Sequence, residues 1–97
     1  MSKTFHRPKG HIAFVGIKGC AIVESIARAH GLTARGLQED TRRAPVVRAR
    51  QHAMSALRDA GFTARAVGEY FGRDHSTVSH ADVTHLRRAA LSLAVAA

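Results

Sequence analysis

Asp74, His75, Ser76 and Thr77 stand in a row, directly after Gly72-Arg73 and directly before a stretch with helical apolar spacing. A carboxylate can accept from cytosine N4, while hydroxyl and imidazole groups can reach base edges, thymine methyls or phosphates. At the start of a helix, where free backbone N–H groups also favour phosphate, such a set has the chemistry needed to read duplex DNA. A second concentration of charge lies upstream. Arg42, Arg43, Arg48, Arg50 and Arg58 fall between Asp40 and Asp59 with no acidic residue among them, a density suited to phosphate or minor-groove contact. The bland alternatives are ordinary three-helix packing for the first group and a solvated arginine face for the second.

Other chemistries lack their parts. His75, His80 and His85 are spaced by five, and five residues turn a helix by about 500°, so these side chains diverge. Cys20 is the single cysteine, which leaves neither a disulfide framework nor a Cys-based zinc site. No base and acid are arranged for Cys20 or Ser76 as nucleophiles. The chain contains no Gly-x-x-x-x-Gly-Lys-Ser/Thr loop for a nucleotide. The expectation is a protein that is not an enzyme and uses no cofactor, metal or nucleotide.

The elements that must position these groups read as helices. From about Gly19, Ile22, Ile26 and Ala29 recur three and four apart. His30-Gly31-Leu32-Thr33-Ala34-Arg35 and Ala60-Gly61-Phe62-Thr63-Ala64-Arg65 then share one grammar. In each, a glycine can close one helix in the left-handed conformation and a threonine can cap the next. Leu32 with Leu37, and Phe62 with Val67, can staple the two new helices. Thr41 to Pro45 reads as a loop, with Pro45 in the first turn of a third helix whose apolar stripe is Val46, Val47, Ala53, Met54, Leu57 and Ala60. Ala64, Val67 and Phe71 mark a short fourth helix ended by Gly72. Asp74 caps a fifth, with Val78, Ala81, Leu86 and Ala89 on its apolar positions. Together the fourth and fifth form a helix-turn-helix with polar residues at the start of its second helix.

Composition agrees. The 97 residues suit one small domain, and 45% apolar content without tryptophan suits an Ala, Val, Leu and Ile core between helices. Fifteen Lys and Arg against seven Asp and Glu leave a net charge of +8, which attracts polyanions. Met1 to Ile17 reads as a flexible basic arm, with a short strand at Ile12 to Val15 the competing reading. It makes neither a signal peptide nor a membrane span, and a reducing cytoplasm fits the lone cysteine.

Gly-Arg-Asp-His-Ser-Thr-Val-Ser-His-Ala at Gly72 to Ala81 resembles the signature of the C-terminal DNA-binding domain, domain IV, of the bacterial replication initiator DnaA. The likeness extends back through Val67-Gly68 and Arg48-Ala49-Arg50-Gln51-His52-Ala53-Met54 to the first helix, covering roughly Ala21 to Arg88. The resemblance implies an all-α domain of five to six helices with a Trp-repressor-like helix-turn-helix, preceded by the basic arm. The expected division is 1–18 arm, 19–90 domain and 91–97 apolar tail. It further implies that Asp74, His75 and Ser76 read bases in the major groove of a DnaA box, and that Arg42, with Arg43, enters the minor groove. Arg50, Gln51 and Thr77 are implied phosphate contacts, to which charge and position add Arg48 and Arg73. Ser76 and Ala49 depart from the family's usual Thr and Pro, and the turn has one glycine fewer before Arg73. Asp82, Val83 and Thr84 stand where the family is commonly basic, which implies a weaker phosphate grip.

The expected function is sequence-specific binding of double-stranded DNA in the regulation or assistance of chromosomal replication initiation, in the cytoplasm at the nucleoid. The alternatives are an accessory protein that acts by contact with full-length DnaA or another replication protein, and a transcriptional regulator. No membrane partner is expected.

Overall fold

The computed structural model describes residues 8–96, which form α1 (Ile12–Ala29), α2 (Ala34–Leu37), α3 (Ala44–Asp59), α4 (Ala64–Phe71) and α5 (His75–Ala96). No strand occurs among the described residues, and the five helices fall within the expected all-α fold of five to six. α3 lies at the centre, packed against α1, α2, α4 and α5, while α4 bridges α1 and α5. Phe71, Leu37, Met54, Leu57, Val15, Val23, Val67 and Val78 are the largest fully buried side chains. Every helix contributes to this set, so no single helix can leave without opening the core.

The two matched corners form as their residues dictate. Thr33 Oγ1 accepts the Gly36 N–H at 3.0 Å, and Thr63 Oγ1 accepts the Ala66 N–H at 3.1 Å. Gly31 and Gly61 take φ of 72° and 103°. Beyond them the Leu32 N–H reaches Ala27 O and the Phe62 N–H reaches Leu57 O, closing two Schellman ends in which the otherwise unpaired last carbonyls are satisfied. Leu32 and Phe62 then pack on the cluster that holds Leu37 and Val67, as the staples require.

The N-terminal boundary differs from expectation. α1 begins at Ile12 rather than near Gly19, capped by His11 Nδ1, which accepts the Ala13 N–H at 3.1 Å. Gly16 sits inside the helix at φ 71° and ψ −179°, separating a leading turn from the main body. That break shifts the phase of the apolar pattern, which is why no helical period is visible across it in the sequence. Residues 12–15 are therefore helical, not a strand, and Val15 enters the core. The Gly10 N–H donates to Tyr70 O at 2.7 Å and Lys9 Nζ to Gln38 O at 2.9 Å, so the part of the expected arm from residue 8 onward is docked. Residues 1–7 lie outside the described residues. At the other end, α5 runs unbroken past position 91, with Leu91 and Leu93 exposed.

Candidate nucleic-acid interface

α4 and α5 are joined by a three-residue corner, Gly72 to Asp74. Gly72 takes φ 68°, the Gly72 N–H donates to Glu69 O at 3.3 Å, and the Arg73 N–H donates to Gly68 O at 2.7 Å. This close approach explains a glycine in the interior of an eight-residue helix, where it otherwise costs about 1 kcal/mol. A Cβ on Gly68 would lie 2.5 Å from the Arg73 carbonyl oxygen. Gly68 is thus a positioning residue for the turn, and its place inside a short helix was the available signal.

Asp74 caps α5. Its Oδ2 accepts the Ser76 N–H at 3.2 Å and the Ser76 hydroxyl, while Oδ1 lies 3.6 Å from His75 Nδ1. The two bonds from Ser76, the hydroxyl first, hold the Asp74 carboxyl below its ordinary value. Asp74, His75, Ser76 and Thr77 are all exposed, so the first turn of α5 presents a carboxylate, an imidazole and two hydroxyls to solvent. Val78 and Ala81, one turn further, are buried and anchor the helix against the core.

Of the arginine-rich stretch, Arg42, Arg43 and Arg48 are exposed, and none of them makes a side-chain hydrogen bond or ion pair among the described residues. Arg42 and Arg43 sit in the turn before α3, ordered by Thr41 Oγ1, which accepts the Arg43 N–H at 3.3 Å.

Arg50 is placed otherwise. It is 7% exposed and its guanidinium faces the α2–α3 loop. Nε donates to Leu37 O at 2.8 Å, and Nη2 to Glu39 O at 2.8 Å and Thr41 O at 3.3 Å. Burial first, and then the charge of Arg73, pulls its pKa down, with Asp40 acting in the opposite sense. The expected phosphate role does not fit a guanidinium committed to three carbonyls. A signal existed: positions 46, 50, 53 and 57 follow helical spacing, so Arg50 fills the gap in the Val46-Ala53-Leu57 stripe.

Arg73 is likewise engaged, with Nη1 3.4 Å from Asp40 Oδ1 and a side chain only 21% exposed. This pair ties the turn before α5 to the loop before α3 and so brings together the two elements singled out from the sequence. Asp40 was missed as a site residue; its only mark was an acidic group at the edge of a basic run. Gln51 Oε1 accepts from Arg88 Nη1 at 3.0 Å, which points Gln51 toward the second half of α5.

Among the described residues the histidines do not form a metal site. His52 stacks on His85 with ring centroids 4.4 Å apart, and His52 Nδ1 lies 3.0 Å from His30 Nε2. His80 is exposed. Among the described residues no group of three or more His, Cys, Asp and Glu could hold a metal ion. Cys20 has its pKa raised, chiefly by burial and then by Glu24, which keeps the thiol protonated. No helix of the described residues is long and apolar enough to cross a membrane.

A short helix, a glycine turn and a second helix with an exposed polar start define a helix-turn-helix of the DNA-binding kind. The family described as bacterial dnaA protein helix-turn-helix matches residues 20–84, about two thirds of the chain, and this chain belongs to that family. Neither a curated protein nor a solved structure matches it.

Proposed function

We propose that this protein binds duplex DNA sequence-specifically at DnaA-box-like sites and assists or regulates the initiation of chromosomal replication. The exposed first turn of α5 enters the major groove, where Asp74, His75 and Ser76 read bases and Thr77 contacts a phosphate. The loop before α3 reaches the adjacent minor groove with Arg42 and Arg43, and Arg48 adds a backbone contact. The observation that carries this reading is the Arg73–Asp40 link, because it fixes two separate basic and polar elements as neighbours on one edge. A two-groove reader needs that juxtaposition, whereas a core-packing helix pair does not.

Selection of bound sequences from a random duplex library tests the proposal. Enrichment of a short asymmetric motif is the expected result. If nothing is enriched, sequence-specific reading is wrong, and the exposed Leu86, Leu91 and Leu93 on α5 favour the second reading, an accessory protein that contacts the full-length initiator.

A further inference from the structure

The loop that carries Arg42 and Arg43 has few bonds of its own: the Gln38 and Glu39 N–H groups close the end of α2, and the Arg43 N–H donates to Thr41 Oγ1. α2 is one turn of four residues, and the Gln38 and Glu39 N–H groups reach only its Arg35 and Gly36 carbonyls, so the carbonyls of Leu37, Gln38, Glu39 and Thr41 have no backbone partner among the described residues. Three cations from three different parts of the chain meet these needs. Arg50, from α3, is bonded to the carbonyls of Leu37, Glu39 and Thr41. Lys9, from the N-terminal segment, is bonded to the carbonyl of Gln38 between them. Arg73, from the helix-turn-helix corner, holds the Asp40 carboxylate. Every residue from Leu37 to Thr41 is therefore gripped from outside the loop.

We propose that Arg50, Arg73 and Lys9 form a clamp that fixes the Arg42-Arg43 loop relative to the helix-turn-helix, and that they act as positioning residues rather than as phosphate ligands. The inference rests on the DNA-reading function above and assigns its specificity a second, DNA-free component. A loop held in one place meets the minor groove at a set register from the base-reading turn. A released loop keeps its charge but loses that register. Preference among sequences then falls while general attraction to DNA stays.

Arg50→Lys is the primary test, since one ammonium cannot reproduce the planar guanidinium that bonds three carbonyls. In the free protein, exchange of the Gln38, Glu39 and Arg43 amide hydrogens should accelerate at least about tenfold, because the local bonds of these N–H groups lose the outside support of the clamp. Affinity for the selected duplex should fall by about 5- to 140-fold, the worth of one good base contact. Affinity for a scrambled duplex should change by less than about twofold, and the salt slope should stay the same, since no phosphate contact is lost. Equal weakening on both duplexes, with a slope shallower by about 1, would make Arg50 a phosphate ligand and overturn the clamp. So would unchanged exchange.

Asp40→Asn keeps the proposal testable if Arg50→Lys fails to fold, because the Asp40 side chain is 90% exposed. Removing a negative charge should by itself tighten all DNA binding, whereas loss of the clamp should lower the ratio of selected to scrambled affinity. A preserved ratio overturns the proposal. If the wild-type protein shows no preferred duplex, the DNA-reading proposal fails separately, and the exchange measurement still decides whether the clamp orders the loop.

Discussion

Asp74 carries two duties that a substitution can separate. Its carboxylate caps α5 through the Ser76 N–H and hydroxyl, and the same group is the proposed acceptor for a base. Loss of an N-cap costs about 0.5 to 2 kcal/mol, whereas Asn caps as well as Asp. Asp74→Asn should therefore leave the folded state within about 0.5 kcal/mol of wild type, while Asp74→Ala should lose about 1 kcal/mol. On DNA the two variants should differ in degree at one position. Asp74→Ala removes the proposed acceptor for cytosine N4, so discrimination at that base pair should drop by about 1 to 3 kcal/mol, or about 5- to 140-fold in relative affinity, whereas Asp74→Asn keeps an amide oxygen that can accept and should lose less. The assay is thermal unfolding in parallel with titration of the selected duplex and its single-base variants. Because the side chain is exposed, its stability contribution rests on capping and not on a buried charge. If Asp74→Ala binds every duplex with the wild-type preference, Asp74 is a cap alone and base reading must be reassigned within the turn.

Other outcomes follow from the same geometry. Gly68→Ala should destabilise the protein: the gain in helix propensity of about 1 kcal/mol is outweighed by overpacking of about 1 to 3 kcal/mol against the Arg73 backbone carbonyl, and a raised Tm would show that the corner yields freely. Stability should fall as pH drops below about 6.5, because His52, chiefly by burial and then by His85 and His30, and His85, chiefly by burial and then by Arg88 with Asp82 opposing, are both held below the ordinary histidine value. In that window the unfolded chain binds protons that the folded cluster refuses; a Tm that does not change between pH 7.5 and pH 5.5 would refute this account. With Arg50 and Arg73 committed inside the protein, the salt slope of DNA binding should be about −3, the value for Arg42, Arg43 and Arg48 alone, rather than the −4 to −5 expected from about four to six contacts. A slope of about −5 measured by titration at several salt concentrations would return both arginines to the phosphates.

Local chemistry made most of the fold legible. The paired Gly-x-Thr corners, Pro45 at the head of α3, Gly72 and Asp74 each fix a helix end with groups only a few residues away, so their bonds can be read without knowing what packs where. The exposed polar start of α5 was legible for the same reason. Tertiary structure decided what depends on distant partners. Gly16 hides the start of α1 because a break within the helix shifts its phase, and the docking of Lys9 and Gly10 needs Gln38 and Tyr70, far along the chain. His52 finds His85 rather than His85 sharing a face with His75 and His80. Above all, a sequence shows that an arginine is charged but not where its donors go. Arg42, Arg43 and Arg48 face solvent without a side-chain partner among the described residues, while Arg50 and Arg73 are engaged by carbonyls and a carboxylate that only the folded chain brings within reach.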